Sequence, residues 1–276
     1  MNSTVDLHMH STASDGTLPV DDLMRLAASV GLKTLALTDH DTTAALDRAV
    51  EVGQALGLEV IPGIELSADY GGKEVHVLGY FIEYQDPTFQ QNLEKFRFNR
   101  YGRAEAIVKK LADLGMPLEY KRVLEIAGDA APQRPHIAEA LKERGYVETV
   151  REAFDRYISN DGPAYVHSEK VTTEQAITLI RSVGGLAVLA HPTYTPDMDT
   201  VVELAAKAGA AGIETFYGTY PEETVERILA LARKFDLVPT GGSDFHGRSD
   251  GGQLTSPGAR YVPPETIDVL KQRLGH

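Results

Sequence analysis

Short apolar runs rich in Val, Ile and Leu alternate along the chain with stretches of helical periodicity, the rhythm of parallel strands joined by crossover helices. Seven runs read as strands: 5–7, 34–37, 59–61, 75–80, 186–189, 212–215 and 237–240. Several are apolar throughout rather than alternating, as strands covered on both faces tend to be. Helical patterns fill the intervals at 20–30, 43–56, 172–183, 200–208 and 222–235, several followed closely by Gly, which suits a C-terminal cap. Thr172 with Gln175 three residues on predicts a capping box.

The rhythm stops between Tyr80 and Leu186, a gap far longer than one crossover requires. Segment 86–167 reads as nearly all helix, with pieces at 93–114, 118–126, 137–144 and 150–158 punctuated by Gly and Pro. The pattern predicts an α/β part, residues 1–85 and 168–276, with a helical insertion or lid, 86–167, over the mouth of a barrel. A chain of 276 residues has room for one such barrel or for two ordinary domains. With no repeat, low-complexity tract or Gly/Ser linker, a single folding unit is expected.

Composition narrows the function. Hydrophobic residues at 42% and charged residues at 24% describe an ordinary globular chain with enough apolar mass for a full core. A formal charge of −13 opposes binding to long duplex nucleic acid or to an anionic membrane surface, so an anionic substrate needs a locally positive site. The chain has no cysteine, which excludes disulfides, thiol catalysis and Cys-ligated metal, and leaves His, Asp and Glu as the strong metal ligands. The opening residues lack a basic region followed by an apolar one, and no 18-residue apolar run occurs, so a soluble cytoplasmic protein is expected.

Of nine histidines, six fall at or next to the end of an expected strand: His8, His10, His40, His76, His191 and His246. Asp6, Asp15, Asp39, Glu65 and Asp244 follow the same rule. In a closed parallel barrel all strand C-termini open on one face, so these residues are expected to converge. His8 and His10, two apart on a strand, share a face and can grip one ion. His40 has a plainer alternative in a polar loop, with Asp41 capping the next helix. His76 lies within its run rather than beyond it, which also fits a hydrogen-bonded core histidine. Clustered His and carboxylate side chains at one barrel end nevertheless point to a functional site.

Asp-Leu-His-Met-His-Ser-Thr-Ala-Ser-Asp-Gly (6–16), Thr-Asp-His-Asp (38–41), Gly-Ile-Glu (63–65), Val-His-Val-Leu-Gly-Tyr (75–80), Ala-His-Pro (190–192) and Gly-Ser-Asp-Phe-His-Gly (242–247) together resemble the successive motifs of the PHP (polymerase and histidinol phosphatase) family of metal-dependent phosphoesterases. The resemblance implies a distorted (β/α)7 barrel and up to three divalent metal ions. One would be held by His8, His10, Glu65 and Asp244; a second by Glu65, His76 and His191; a third by Asp15, His40 and His246. Glu65, bridging the first two, with His191 and Asp244, would carry catalysis. Asp6 and Asp39 become candidates to orient ligating imidazoles. The insertion, with Gln-Arg-Pro-His-Ile-Ala (133–138), is similar to the stand-alone branch acting on nucleoside 3′,5′-bisphosphates and short RNA ends.

The implied chemistry suits these residues. Phosphate-monoester hydrolysis needs up to ~10²¹-fold acceleration, and metal ions both acidify water and stabilise developing charge. Three divalent ions outweigh three ligating carboxylates, which makes the pocket positive within an acidic chain. An all-nitrogen-and-oxygen ligand set suits Mn²⁺, Fe²⁺ or Zn²⁺ better than Mg²⁺ alone. Arg134 and His136, stiffened by flanking prolines, are the leading candidates to bind a second phosphate, with Lys170 and Arg103 as further ones. Tyr194 and Tyr217 could stack on a base. The expected partner is a small phosphorylated substrate, a nucleotide or short oligonucleotide, with no inference about oligomeric state. A histidinol-phosphate phosphatase and a non-catalytic metal-stabilised module are the competing readings.

Overall fold

The computed structural model describes residues 3–167, 171–218, 220–247 and 256–275. In chain order the elements are β1 (Val5–Met9), α1 (Val20–Ser29), β2 (Thr34–Leu37), α2 (Leu46–Ala55), β3 (Glu59–Tyr70), β4 (Lys73–Tyr80), α3 (Pro87–Asp113), α4 (Tyr120–Ala127), α5 (Arg134–Glu143) and α6 (Val150–Ala153). After a π turn at Phe154–Ile158 come β5 (Val171–Thr172), α7 (Thr173–Ser182), β6 (Leu186–Leu189), α8 (Met198–Ala208), β7 (Gly212–Tyr217), α9 (Glu222–Phe235), β8 (Val238–Gly242) and α10 (Glu265–Leu274). The sheet runs β1-β2-β3-β4-β6-β7-β8, and the short β5 pairs with β3 outside that path. Met9 and Phe245 pair across the gap between its first and last strands, where the His10 amide donates to the Phe245 carbonyl at 3.0 Å. The sheet is thereby a nearly closed α/β barrel.

All seven expected strands are present, but one runs the other way. β3 and β4 form an antiparallel hairpin, with Glu65 opposite Leu78 and Ser67 opposite His76, and β4 pairs antiparallel with β6. Gly71 and Gly72 close the hairpin at φ 61° and 82°, a two-residue turn in the left-handed region that glycine enters without steric cost. An apolar run marks a strand without giving its direction, so the parallel expectation fails here. The reversal places the start of β4, and His76 with it, at the same rim as the C-terminal ends of its neighbours.

Two apolar layers hold the barrel. Outside the sheet, Leu35 and Leu37 of β2 belong to one apolar layer with Leu23, Met24, Ile177 and Ile228 of the surrounding helices. Inside it, Leu7, Ala36, Ile61, Leu78 and Val188 fill the lumen together with Ile267 and Leu270 of α10. That helix, which the strand–helix rhythm did not predict, sits at the N-terminal end of the strands, where Lys271 meets Glu59 at 2.6 Å. The predicted capping box is formed: Thr172 accepts from the Gln175 amide at 3.3 Å and Gln175 accepts from the Thr172 amide at 2.9 Å.

The long insertion has its own core of Ile107, Leu111, Val123, Ile137, Leu141 and Ala153, among others. α3 begins with Pro87 behind an Asp86 cap, whose side chain accepts from the Phe89 amide at 2.8 Å. Its first turns belong to the barrel, since Phe89 and Leu93 join the outer barrel core, while its later turns enter the core of the insertion. Among the described residues no helix is long and apolar enough to cross a membrane.

Because Phe89 is fully buried at this junction, Phe89→Ala should cost about 3–5 kcal/mol of unfolding free energy, measured by denaturant titration. A loss below about 1 kcal/mol would show that the start of α3 is not anchored in the barrel.

Candidate metal centre

Glu65, in the middle of β3 and 1% exposed, organises the rim. Its Oε2 lies 3.1 Å from His8 Nε2, 3.2 Å from His10 Nε2 and 3.2 Å from His40 Nδ1. Its Oε1 lies 2.7 Å from His76 Nδ1 and 3.1 Å from His191 Nε2, and those two nitrogens are 3.3 Å apart. Asp244 Oδ1 approaches His8 Nε2 at 3.2 Å and His10 Nε2 at 3.1 Å. Asp15 Oδ1 approaches His246 Nε2 at 3.2 Å, His40 Nε2 at 3.9 Å and His10 Nδ1 at 4.0 Å. The structure therefore brings all nine residues expected as ligands into one cluster. Three groups could each hold an ion: His8, His10, Glu65 and Asp244; His10, Asp15, His40 and His246; and His40, Glu65 and His76. His10 and His40 each reach two of them, a sharing that the motifs alone did not suggest.

Local backbone makes this convergence. His191, Asp244 and Asp41 take φ values of 21°, 51° and 53°, sparsely populated conformations for non-glycine residues that re-aim side chains at strand ends. Gly242 is needed for another reason: a Cβ there would lie 2.5 Å from the His8 amide nitrogen. Without a side chain at 242, β8 can lie directly against the strand that carries His8 and His10.

The chemistry of the donors fits divalent cations. Both ring nitrogens of His10 and Nδ1 of His40 are buried against carboxylate oxygens, at 3.1 to 4.0 Å, without the alignment of a hydrogen bond among the described residues. Buried polar nitrogens are costly unless something uses their lone pairs, and a cation does so. Burial opposes protonation of His10, but the Asp244 and Glu65 carboxylates beside it outweigh that and raise its pKa to about 10. His76, partly buried, is raised to about 9 because Glu65 and Glu74 outweigh the burial that opposes its charge. His40 goes the other way, down to about 3, because burial there exceeds the help it receives from Glu65 and Asp15.

A ring of polar groups holds this cluster, and one of its members was missed in the sequence. Glu214, fully buried on β7, accepts from the His191 amide at 2.7 Å and faces His8 Nδ1 at 2.8 Å. A carboxylate inside the apolar run 212–215 was the available signal. Tyr217 donates its hydroxyl to Asp244 Oδ2 at 2.8 Å, leaving Oδ1 to the histidines. Asp6 and Asp39 are buried, but among the described residues neither hydrogen-bonds an imidazole, the contact expected of them. Asp6 accepts from the Ser243 and Gly258 amides at 2.9 and 2.8 Å, tying the loops beyond β8 to β1. Asp39 accepts from the Ser11 amide and the Ser14 hydroxyl at 2.8 and 2.6 Å, fixing the loop that carries Asp15. Asp41 does not cap α2, whose N-cap is Ala45; it accepts from the Ser67 amide and pairs with Arg100 of the insertion.

Above the cluster opens a cavity of about 360 Å³. Its walls include Arg100, Arg103, Arg134, Tyr194 and Tyr217 as well as the rim histidines. Arg134 and Arg103 both reach Glu74 Oε2, at 3.0 and 3.3 Å. Arg100 and Glu74 were not singled out in the sequence, where nothing distinguishes them from ordinary surface charges. His136 does not line this cavity: its Nδ1 accepts from the Gln133 amide at 3.0 Å in the N-terminal cap of α5, and it borders a separate hollow with Ser14 and Lys142. A helix cap uses the same residue types as a phosphate site, which is why the motif suggested otherwise. Lys170 lies outside the described residues.

A family model described as the PHP domain matches residues 6–161. The chain belongs to the PHP family. A relative named 5′-3′ exoribonuclease from Haemophilus influenzae is 34% identical over 89% of this chain and 91% of its own. Another, named 3′,5′-nucleoside bisphosphate phosphatase, from Chromobacterium violaceum, is 30% identical over 91% of this chain and 90% of its own. Among solved structures, a candidate metal-dependent phosphoesterase from Bifidobacterium adolescentis superposes with a TM-score of 0.88 at 30% identity, covering 98% of this chain and 96% of that one.

For this PHP centre, ligation requires neutral imidazole, whereas His10 and His76 hold protons up to about 10 and about 9 in the metal-free protein. Uptake of Mn²⁺ or Zn²⁺ should therefore release protons near neutral pH, and affinity should rise with pH up to that range. Titration calorimetry in buffers of different ionisation enthalpy checks this; heats independent of the buffer would refute it.

Proposed function

We propose that this PHP protein is a metal-dependent phosphoesterase that removes phosphate from small nucleotides, either a nucleoside 3′,5′-bisphosphate or the end of a short oligonucleotide. The observation that carries the reading is the placement of Arg103 and Arg134 on the wall of the cavity whose floor is the His and carboxylate cluster. A phosphate seated on the cluster and a second one on the guanidiniums would occupy a single chamber. Its volume of about 360 Å³ falls within the usual range for small-molecule sites, roughly 300–1,000 Å³, and is too small for a duplex. The names 5′-3′ exoribonuclease and 3′,5′-nucleoside bisphosphate phosphatase, carried by two relatives, support this substrate class.

In this reading His8, His10, Glu65 and Asp244 hold one ion, Glu65, His76 and His191 a second, and Asp15, His40 and His246 a third, drawn from Mn²⁺, Fe²⁺ and Zn²⁺. When bound, such ions supply Lewis-acid charge and lower the pKa of water. The protein's own part is positional. Glu65 directs its two oxygens to different histidines and so sets the spacing within the cluster, and Asp244 offers one oxygen because Tyr217 holds the other. Arg134 is held by the Ile158 carbonyl and by Asn160 as well as by Glu74, so its fork is aimed before a substrate arrives. Tyr194, 64% exposed at the mouth beside His191, presents a ring face on which a base can stack.

Phosphate release with Mn²⁺, Fe²⁺ or Zn²⁺ should be faster from adenosine 3′,5′-bisphosphate than from histidinol phosphate, and His10→Ala should abolish it while leaving a folded protein. Arg134→Gln should raise KM for the bisphosphate roughly 10–100-fold, the worth of a charged hydrogen bond, with a smaller change in kcat. Faster turnover of histidinol phosphate would reverse the assignment. A folded, metal-loaded protein that hydrolyses neither compound would remove it.

A further inference from the structure

Glu74 stands between the two halves of the proposed site. Its Oε1 lies 3.0 Å from His76 Nε2, on the side of the ring away from Glu65 and His191. Its Oε2 accepts from Arg134 at 3.0 Å and from Arg103 at 3.3 Å. These partners come from three elements, β4, α5 and α3, so a single carboxylate joins the helical insertion to the rim of the barrel. The carboxylate is 9% exposed, so its charge is poorly screened by water.

We propose that Glu74 is the positioning residue that ties phosphate recognition to the metal centre, sharing its two oxygens between His76 and the Arg103/Arg134 pair. The inference rests on the phosphoesterase reading above. Toward the cluster, a carboxylate on the far nitrogen fixes which nitrogen of His76 carries the proton and turns Nδ1 toward Glu65. Partners of this kind set both ring orientation and ligand basicity. Toward the cavity, the same charge compensates one of two guanidiniums. It therefore holds both forks in place while leaving net positive charge for a substrate phosphate.

The two oxygens do different work, and substitutions separate them. Glu74→Gln keeps the size and removes the charge. His76 loses its anionic partner while the guanidiniums lose their counter-charge, so metal affinity and phosphate affinity should move in opposite directions. Glu74→Asp keeps the charge but is shorter by one methylene and should fail to reach both partners at once.

The test measures Mn²⁺ binding by equilibrium dialysis alongside steady-state hydrolysis of adenosine 3′,5′-bisphosphate, with thermal unfolding to confirm folding. For Glu74→Gln the Mn²⁺ dissociation constant of the weakest site should rise about 10–100-fold, kcat at fixed Mn²⁺ should fall, and KM should fall severalfold. Glu74→Asp should not restore wild-type Mn²⁺ affinity. Unchanged Mn²⁺ binding in a folded Glu74→Gln protein, or a KM that rises with the loss of kcat, would overturn the proposal. Should the wild type bind Mn²⁺ yet hydrolyse no phosphate ester, the functional reading fails, while the Mn²⁺ comparison still decides whether Glu74 supports His76.

Discussion

One buried carboxylate, Glu65, faces five imidazoles, and the rest of the molecule is arranged around the difficulty this creates. A carboxylate balances one positive charge, whereas the histidine rings around it crowd to centroid separations of 4.1 Å for His10 and His246 and 4.7 Å for His10 and His40. In a desolvated space the rings cannot all be protonated, and the adjacent His10 and His40 accordingly go opposite ways, to about 10 and about 3. Ring nitrogens are left facing one another, as His76 Nδ1 and His191 Nε2 do at 3.3 Å. Divalent ions would resolve the conflict, and the family to which the chain belongs is one of metal-dependent phosphoesterases.

Keeping such a cluster assembled requires rigid surroundings, and the buried acids Asp6, Asp39 and Glu214 provide them. All three accept from backbone amides of loops at strand ends. For Asp6 and Asp39, burial raises the pKa despite these bonds. That cost is the physical sign of groups retained for geometry rather than for stability. The strained conformations of Asp41, His191 and Asp244 belong to the same economy, since they are held by bonds made elsewhere in the rim.

The insertion meets this rim through charge. Arg100 pairs with Asp41, next to His40, and Arg103 and Arg134 pair with Glu74, two residues from His76. Each contact sets a cation of the insertion beside an acid adjoining a candidate ligand. The negatively charged chain thereby gathers positive charge over one chamber, where a phosphorylated substrate would need it.

Much of this was legible from the residues alone. The apolar runs located seven strands of the barrel, the interruption after Tyr80 is where α3 to α6 stand, and the placement of His8, His10, His40, His191 and His246 at strand ends foretold their meeting. These features are local, because strand patterning and side-chain type are written in consecutive residues. The direction of β4 was not legible, although Gly71 and Gly72 hinted at it, because an apolar run is the same read either way. Nor were the roles of Glu74, Arg100 and Glu214, or the diversion of His136 into a helix cap. An acid or a base gains its meaning from the charge it is buried against, and those partners lie 23 and 206 positions away in the chain for Glu214, while the two arginines that meet Glu74 lie 29 and 60 positions from it. The sequence by itself determined which residue types are available as candidate metal ligands and roughly where the chain turns. Only the tertiary structure decided which charges face one another, since Coulomb and hydrogen-bond energies depend on separation in space, which folding alone establishes.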